Sequence, residues 1–206
     1  MFDDRREAGI RLGEALERYR DRSPVVLAIP RGGVPVGKEV ARRLDADFSL
    51  LVSRKLPFPE NPEAGFGAVA EDGSVYIVPG AERILTRNVV EEVLDEQRAV
   101  VERRIRDLRG GESLPDIDGR VVILVDDGVA VGSTLRAAAR CVRNKGAAET
   151  VIGTPVGSAT AEKELGEYVD HVHVLFSPPR MPPAWPNGGT IVSPPSSGTI
   201  CAAGSR

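Results

Sequence analysis

Residues 121–134 read VVILVDDGVAVGST, an unbroken apolar run, two aspartates, and a small-residue loop that closes on a glycine and two hydroxyls. An apolar run ended by turn residues is the signature of a buried strand in a parallel sheet, which puts Asp126 and Asp127 at its carboxyl end. Ligands of open α/β sheets bind at that end. Helical spacing resumes from Leu135 to Val142, so the loop Gly128 to Thr134 feeds a helix N-terminus, where unpaired backbone N–H groups favour a phosphate. Two carboxylates beside an anion cradle suit a ligand with vicinal hydroxyls on one side and a phosphate on the other. A 5-phosphorylated ribose has that shape.

Two bland or rival readings bear on the same stretch. An ordinary strand-to-helix turn would use Asp127 or Ser133 to cap the helix. Capping needs one side chain, whereas this loop gathers two carboxylates, two glycines and two hydroxyls. A nucleotide-binding P-loop would need a lysine between the last glycine and the hydroxyl, and none is present. A receiver-type acidic pair would end the first strand, whereas this one follows the third or a later strand.

Upstream, Asp3 to Arg20 has mostly helical apolar spacing and is expected to be a structural amphipathic helix on the sheet edge. Val25 to Ile29 is a short strand that runs into Pro30-Arg31-Gly32-Gly33, and Gly37 to Leu44 is helical. Phe48 to Val52 is another strand, ending in Ser53-Arg54-Lys55. Leu56 to Ala64 reads as a loop. Phe66 to Ala70 and Ser74 to Val78 flank Glu71-Asp72-Gly73, a hairpin signal, and this hairpin is expected to form a flap over the site. Ala81 to Leu108 is one or two long amphipathic helices stopped by Gly110-Gly111. Thr150 to Val156 is a strand, Ser158 caps a helix through Glu167, and Val169 to Phe176 is the last strand. The alternation predicts an α/β fold with a doubly wound, mainly parallel sheet. His171 and His173 share one strand face, and two ligands do not make a metal site.

The chain of 206 residues is long enough for one α/β domain with appendages. Its formal net charge of −3 gives no general attraction to nucleic acid or anionic membrane, so any phosphate site must be local. No apolar run approaches the roughly 20 residues of a membrane span, and the charged start MFDDRREAGI is no signal peptide. A cytoplasmic protein is expected. Cys141 and Cys201 have neither metal-ligand spacing nor a disulfide framework, and Cys141 reads as packing.

The strand, the acidic pair and the loop ending in Gly-x-Thr resemble the signature of the type I phosphoribosyltransferases. AIPRGGVPVG, SRKLPFPENPEAGFGAVAEDG and VDDGVAVGST together are similar to a bacterial and archaeal branch of predicted phosphoribosyltransferases with no assigned acceptor. The resemblance covers about Met1 to Ser177 on three motifs in the expected order. It implies the type I fold with a flexible hairpin flap and an inserted long helix, and a substrate, 5-phosphoribosyl 1-pyrophosphate. Asp126 and Asp127 would accept hydrogen bonds from the ribose 2- and 3-hydroxyls. Gly128, Val129, Ala130, Val131, Gly132, Ser133 and Thr134 would hold the 5-phosphate, and Pro30, Arg31, Gly32 and Gly33 the pyrophosphate. Arg54 and Lys55 match basic residues that also face pyrophosphate.

The expected function is transfer of phosphoribose to an unidentified, nucleobase-like acceptor with release of pyrophosphate. Magnesium follows from the chemistry, with Asp126 and Asp127 as its carboxylates and the remaining ligands from phosphate and water. Many relatives have Thr where this chain has Val131, and some purine-specific ones have an aspartate base where it has Ala130. Glu63 and Glu71 on the flap are then the candidates for acid or base, against the alternative that they are solvated loop carboxylates. Trp185 and Phe66 could stack on a base. Partners are the small-molecule substrate and at most a second copy of the chain in a homodimer, with no nucleic acid and no membrane. Two other readings stay open: a non-catalytic regulator that binds phosphoribosyl pyrophosphate or a nucleotide, and a hydrolase, for which no nucleophile-base pair is visible.

Residues 178–206 are Pro-, Gly- and Ser-rich with no period, the composition of a tail that cannot order itself. The resemblance implies instead an aromatic, acidic segment near a base-binding hood. Shifting the reading frame from Trp185 to Ser193 permits Ala-Gln-Arg-Trp-Tyr-Asp-Arg-Phe, which resembles that segment. The expectation is a frameshift between about Ser177 and Trp185.

Overall fold

The computed structural model describes residues 2–179 and Trp185. Most of the tail, with its expected frameshift and Cys201, lies outside the described residues.

Five strands form one parallel sheet in the order β2-β1-β6-β7-β8: β1 Val25–Ala28, β2 Asp47–Leu50, β6 Val121–Val125, β7 Glu149–Val156 and β8 His171–Phe176. Helices cover both faces, so β1 and β6 are buried along their whole length and carry apolar runs rather than alternation. Helices α1 (Arg5–Ala15) and α2 (Gly33–Leu44) lie on one face, with Leu12, Leu16, Val36 and Val40 packed on Val26, Ile123 and Val151. Helices α4 (Ser133–Asn144) and α5 (Ala161–Gly166) lie on the other, with Leu135, Ala138 and Leu165 on Val122, Leu124 and Ile152.

Two placements differ from the sequence reading. Helix α1 lies across the sheet face rather than on its edge, because Leu12 and Leu16 sit on Gly153 and Gly9 presses on the Val36 carbonyl of α2. Ser158 does not cap α5, which has no side-chain cap. Its hydroxyl donates instead to the Ala130 carbonyl at 3.1 Å.

Between β2 and β6 the chain builds a second sheet of three antiparallel strands, β3 Ser53–Phe58, β4 Asn61–Ala70 and β5 Val75–Ile77, and the long helix α3 Arg87–Arg109. The Asp72-Gly73 turn joins β4 to β5, and Gly110 in the left-handed region (φ 66°) ends α3. The stretch 56–64, read as a loop, is mostly strand. Pro57 is tolerated because β3 is an edge strand, and the pairing is irregular on both sides of it. Helix α3 packs on this second sheet through Val93 and Val101 against Val52, Leu56, Phe66 and Val69. Among the described residues no helix is long and apolar enough to cross a membrane.

Helix α4 is the contact between the two sheets. Ala137, Ala138, Ala139, Cys141 and Val142 are all buried, in one cluster with the main sheet and with Ala68, Ala70 and Tyr76 of the second. Small side chains are required because both flanks of the helix are occupied. Burial, with the Asp72 and Glu71 carboxylates close by, pushes the Cys141 thiol up to about 12, so it is a packing residue and not a reactive one. Ala138→Leu is expected to cost about 2 kcal/mol by overpacking, read as a lower midpoint in thermal denaturation.

Candidate functional site

The site follows from how β1 and β6 pair. They run parallel with Ala28 beside Val125, and the Ile29 N–H extends the ladder to the Val125 carbonyl at 2.8 Å. The chain leaves β1 for α2 on one face and β6 for α4 on the other, which makes this strand boundary a topological switch point with a crevice at its carboxyl end. Loops separated by almost a hundred residues therefore meet. A Cβ on Gly32 would lie 2.2 Å from Asp127 Oδ2, and one on Gly33 would lie 2.6 Å from the Val125 carbonyl oxygen. Only glycine lets the 30–33 backbone come this close. Pro30 is buried below the loop, the Pro30–Arg31 peptide is cis, and Arg31 is exposed above it.

On the α4 side, Gly132 (φ 73°) is the N-cap and no side chain caps the helix, so the reading in which Asp127 or Ser133 merely caps fails. Among the described residues the backbone N–H groups of 130–134 are engaged by no other backbone carbonyl. Val129 is different: its N–H donates to the Val156 carbonyl at 2.9 Å, its carbonyl accepts from Ser158 N–H at 2.8 Å, and its side chain is buried. It anchors the loop and has no N–H to offer a ligand, a correction to its place among the phosphate-binding residues. Val131 is 59% exposed at the rim.

The two carboxylates have different surroundings. Asp126 is partly buried, and its Oδ1 accepts the Asp127 N–H at 2.9 Å. Asp127 is only 5% exposed, and its Oδ2 accepts from both Nε and Nη2 of Arg5 at 2.7 Å. Burial, and then the neighbouring Asp127 charge, lifts Asp126 well above the usual carboxylate range. Burial also raises Asp127, with Arg5 opposing it. Arg5 is a site residue that the sequence reading missed, having treated α1 as structural. Its guanidinium lies 5.4 Å from the centre of the Trp185 ring, which in turn is 6.3 Å from Phe2. Trp185 is thus buried against α1.

Arg54 and Lys55 do not face one site together. Successive residues of a strand point to opposite faces. Ser53 donates to the Thr134 carbonyl of α4 at 3.1 Å, and Lys55 shares its face, with Nζ on the Glu63 carbonyl at 2.6 Å. Arg54 shares a face with its cross-strand partner Val69, towards α3. Burial and the nearby Arg104 charge lower its pKa, and its buried Nε meets no partner among the described residues.

The expected flap is also reassigned. The turn after Ala70 is tied to the far end of α4, with Asn144 Nδ2 donating to Asp72 at 3.2 Å, while Ser53, opposite Ala70, touches the first turn of α4. The β3–β4 arm beyond Ser53 therefore projects past the N-terminus of α4, and exposed Glu63 lies on it. Glu71 belongs to the other end. It forms a buried pair with Arg109 at 2.7 Å, with side chains 6% and 7% exposed, and accepts the Val52 N–H at 2.8 Å. Committed in this way, it is neither the acid or base candidate on a flap that the sequence suggests nor a solvated loop carboxylate. His173 meets Arg18 at 3.0 Å and the edge of Tyr19, and His171 lies 3.8 Å from Glu149.

Glu71→Gln strands half of a buried ion pair and is expected to cost about 3 kcal/mol. Thermal denaturation should show a midpoint lower on the order of 10 °C.

Comparison with known proteins agrees with this geometry. The profile described as "Phosphoribosyl transferase domain" matches residues 5–176. The Mycobacterium tuberculosis (strain ATCC 25618 / H37Rv) protein named "Putative phosphoribosyl transferase Rv0571c" is 37% identical over 182 residues. That alignment takes in 86% of this chain and 41% of the relative, so the chain spans about two fifths of the relative's length. Among solved structures, TT1426 from Thermus thermophilus superposes with a TM-score of 0.74 at 38% identity, over 88% of this chain and 87% of that one. The chain belongs to the phosphoribosyl transferase domain family.

Proposed function

We propose that the crevice binds 5-phosphoribosyl 1-pyrophosphate with Mg²⁺ and that the protein transfers its phosphoribose to a nitrogenous, nucleobase-like acceptor. The observation that carries this reading is the uncapped N-terminus of α4 at the end of the loop that begins with the acidic pair, against which Gly32 and Gly33 pack. An uncapped helix end holds several backbone donors and a partial positive charge, which suits a phosphate dianion. The acidic pair accepts hydrogen bonds from the ribose hydroxyls. In the 30–33 loop the N–H groups of Arg31 and Gly32 are the donors for a pyrophosphate, since Pro30 has none and Gly33 donates to the Ile29 carbonyl at 3.0 Å. The Arg31 guanidinium can bind its oxygens bidentately. Lys55, on the arm that overhangs α4, is a second cation for the same group.

Asp126, with Asp127 beside it although Arg5 already holds Oδ2 of Asp127, suits Mg²⁺, which is held by one or two carboxylates with phosphate and water as its other ligands rather than by a protein cage. Among the described residues no group of three or more His, Cys, Asp or Glu forms such a cage. When bound, the ion neutralises charge on the departing pyrophosphate. The protein's own part is positioning and electrostatics. The acceptor nitrogen forms its bond to ribose C1 as the bond from C1 to the pyrophosphate oxygen breaks. The backbone cradle holds the 5-phosphate end still, and the carboxylates lie near the cationic sugar. Glu63, exposed on the arm, is the remaining acid or base candidate, since Glu71 is held by Arg109.

Pyrophosphate release from phosphoribosyl pyrophosphate and Mg²⁺ is to be measured across a panel of nucleobases. Acceptor-dependent release is expected. Acceptor-independent release means a hydrolase, and tight binding without turnover means a ligand-binding regulator. Asp126→Asn with Asp127→Asn is expected to weaken phosphoribosyl pyrophosphate binding on the order of 100-fold, and chelation of the metal to stop release. An unchanged affinity in the double variant removes the basis of this reading.

A further inference from the structure

The cradle at α4 faces outward for a reason that lies behind it. Every carbonyl from Val129 to Gly132 is turned inward onto a donor. Val129 O accepts from Ser158 N–H at 2.8 Å, Ala130 O from Ser158 Oγ at 3.1 Å, Val131 O from Arg136 Nη1, and Gly132 O from the Arg136 backbone N–H at 3.0 Å. In a planar trans peptide the carbonyl and the following N–H point in opposite directions. Anchoring these four carbonyls therefore aims the N–H groups of Ala130, Val131, Gly132 and Ser133 away from the protein body. Two of the four anchors are side chains, Arg136 and Ser158.

Arg136 is built for this task. Its side chain is 6% exposed and bends back toward the N-terminus of its own helix, the direction helical side chains take. The guanidinium lies 5.0 Å from the centre of the Tyr76 ring and 5.3 Å from that of Tyr168, and its Nη2 meets the Glu164 carboxylate at 3.1 Å. It is thus held by β5, α5 and the segment before β8 while it donates to Val131. Buried in this way it cannot touch a ligand itself. Its charge, within one turn of an uncapped helix N-terminus, still favours an anion there. Lysine would not substitute, because one ammonium cannot stack between two rings and donate in two fixed directions.

The geometry points to Arg136, assisted by Ser158, as the positioning residue of the anion cradle: it sets the direction of the Gly132 N–H through the Val131 carbonyl and ties the cradle to the second sheet through Tyr76. This inference rests on the phosphoribosyl reading only for the nature of the anion, a sugar 5-phosphate.

Two probes separate the cradle from the 30–33 loop. Calorimetry with ribose 5-phosphate reports on the cradle, and calorimetry with inorganic pyrophosphate and Mg²⁺ reports on the loop. Arg136→Gln is expected to weaken ribose 5-phosphate by about tenfold and to leave pyrophosphate affinity unchanged, with Arg136→Lys recovering little of the loss. Ser158→Ala, which removes one hydroxyl outside any helix, is expected to act in the same direction and serves if Arg136→Gln does not fold. Equal weakening of both probes, or unchanged ribose 5-phosphate affinity in the Arg136 and Ser158 variants, overturns the inference. If the wild-type protein binds neither probe, the phosphoribosyl reading falls. The positioning role is then decided without ligand, by ¹⁵N relaxation of Val131 and Gly132. Order in the wild type and fast motion in Arg136→Gln support it, and equal order in both overturns it.

Discussion

The parallel pairing of β1 with β6 is the constraint on which the site depends. Four consecutive residue pairs, Val25 with Val122 through Ala28 with Val125, hold the two strands in register, and all eight residues are buried. Because the helices that follow leave on opposite faces, the two loops that begin at this edge cannot separate. A slip of one residue would turn Val26 and Ile123 away from α1 and α2 and move Gly33 off the Val125 carbonyl. Core packing and site geometry are therefore one requirement, enforced by the same ladder.

The electrostatics of the crevice are local. A chain with net charge −3 has no general pull on anions, and the crevice sets its attraction through oriented backbone dipoles and a few cations. Two of those cations, Arg5 and Arg136, are turned inward. One neutralises Asp127 and the other holds the Val131 carbonyl. A buried guanidinium needs partners for its charge, and each is fixed by several, although Arg136 Nε is buried without a hydrogen-bond partner among the described residues. This rigidity suits an anion site in which backbone N–H groups make the contacts, since preorganised dipoles need no rearrangement when the ligand arrives.

Helix α4 links this site to the rest of the molecule. It belongs to both cores, and its first turn touches β3 through Ser53 and β5 through Arg136 and Tyr76. The arm that overhangs the crevice is the continuation of a strand fastened to the helix that carries the cradle. The arm and the cradle are thus joined through α4 by direct contacts, and the alanine-rich packing keeps that connection short.

The sequence by itself determined what depends on neighbours in the chain. The unbroken apolar run marks β6 at its true limits, Val121–Val125, and the turn chemistry at Asp72-Gly73 and Gly110 marks ends that backbone conformation dictates. The acidic pair at a strand end and the glycine loop before a helix were legible because strand polarity and orphan N–H groups are local properties. Only the tertiary structure decided which side chains enter the site. Arg54 and Lys55, adjacent in sequence, part because a strand alternates its faces. Glu71 is taken out of the chemistry by Arg109, 38 residues away, and Asp127 is covered by Arg5 from 122 residues away. Arg136 carries no mark in a helical pattern, since the carbonyl it anchors comes within reach only once the loop has folded back on α5 and the second sheet. Long-range ion pairs leave no local trace because neither partner's neighbours depend on them; they form where packing brings two charges together away from water.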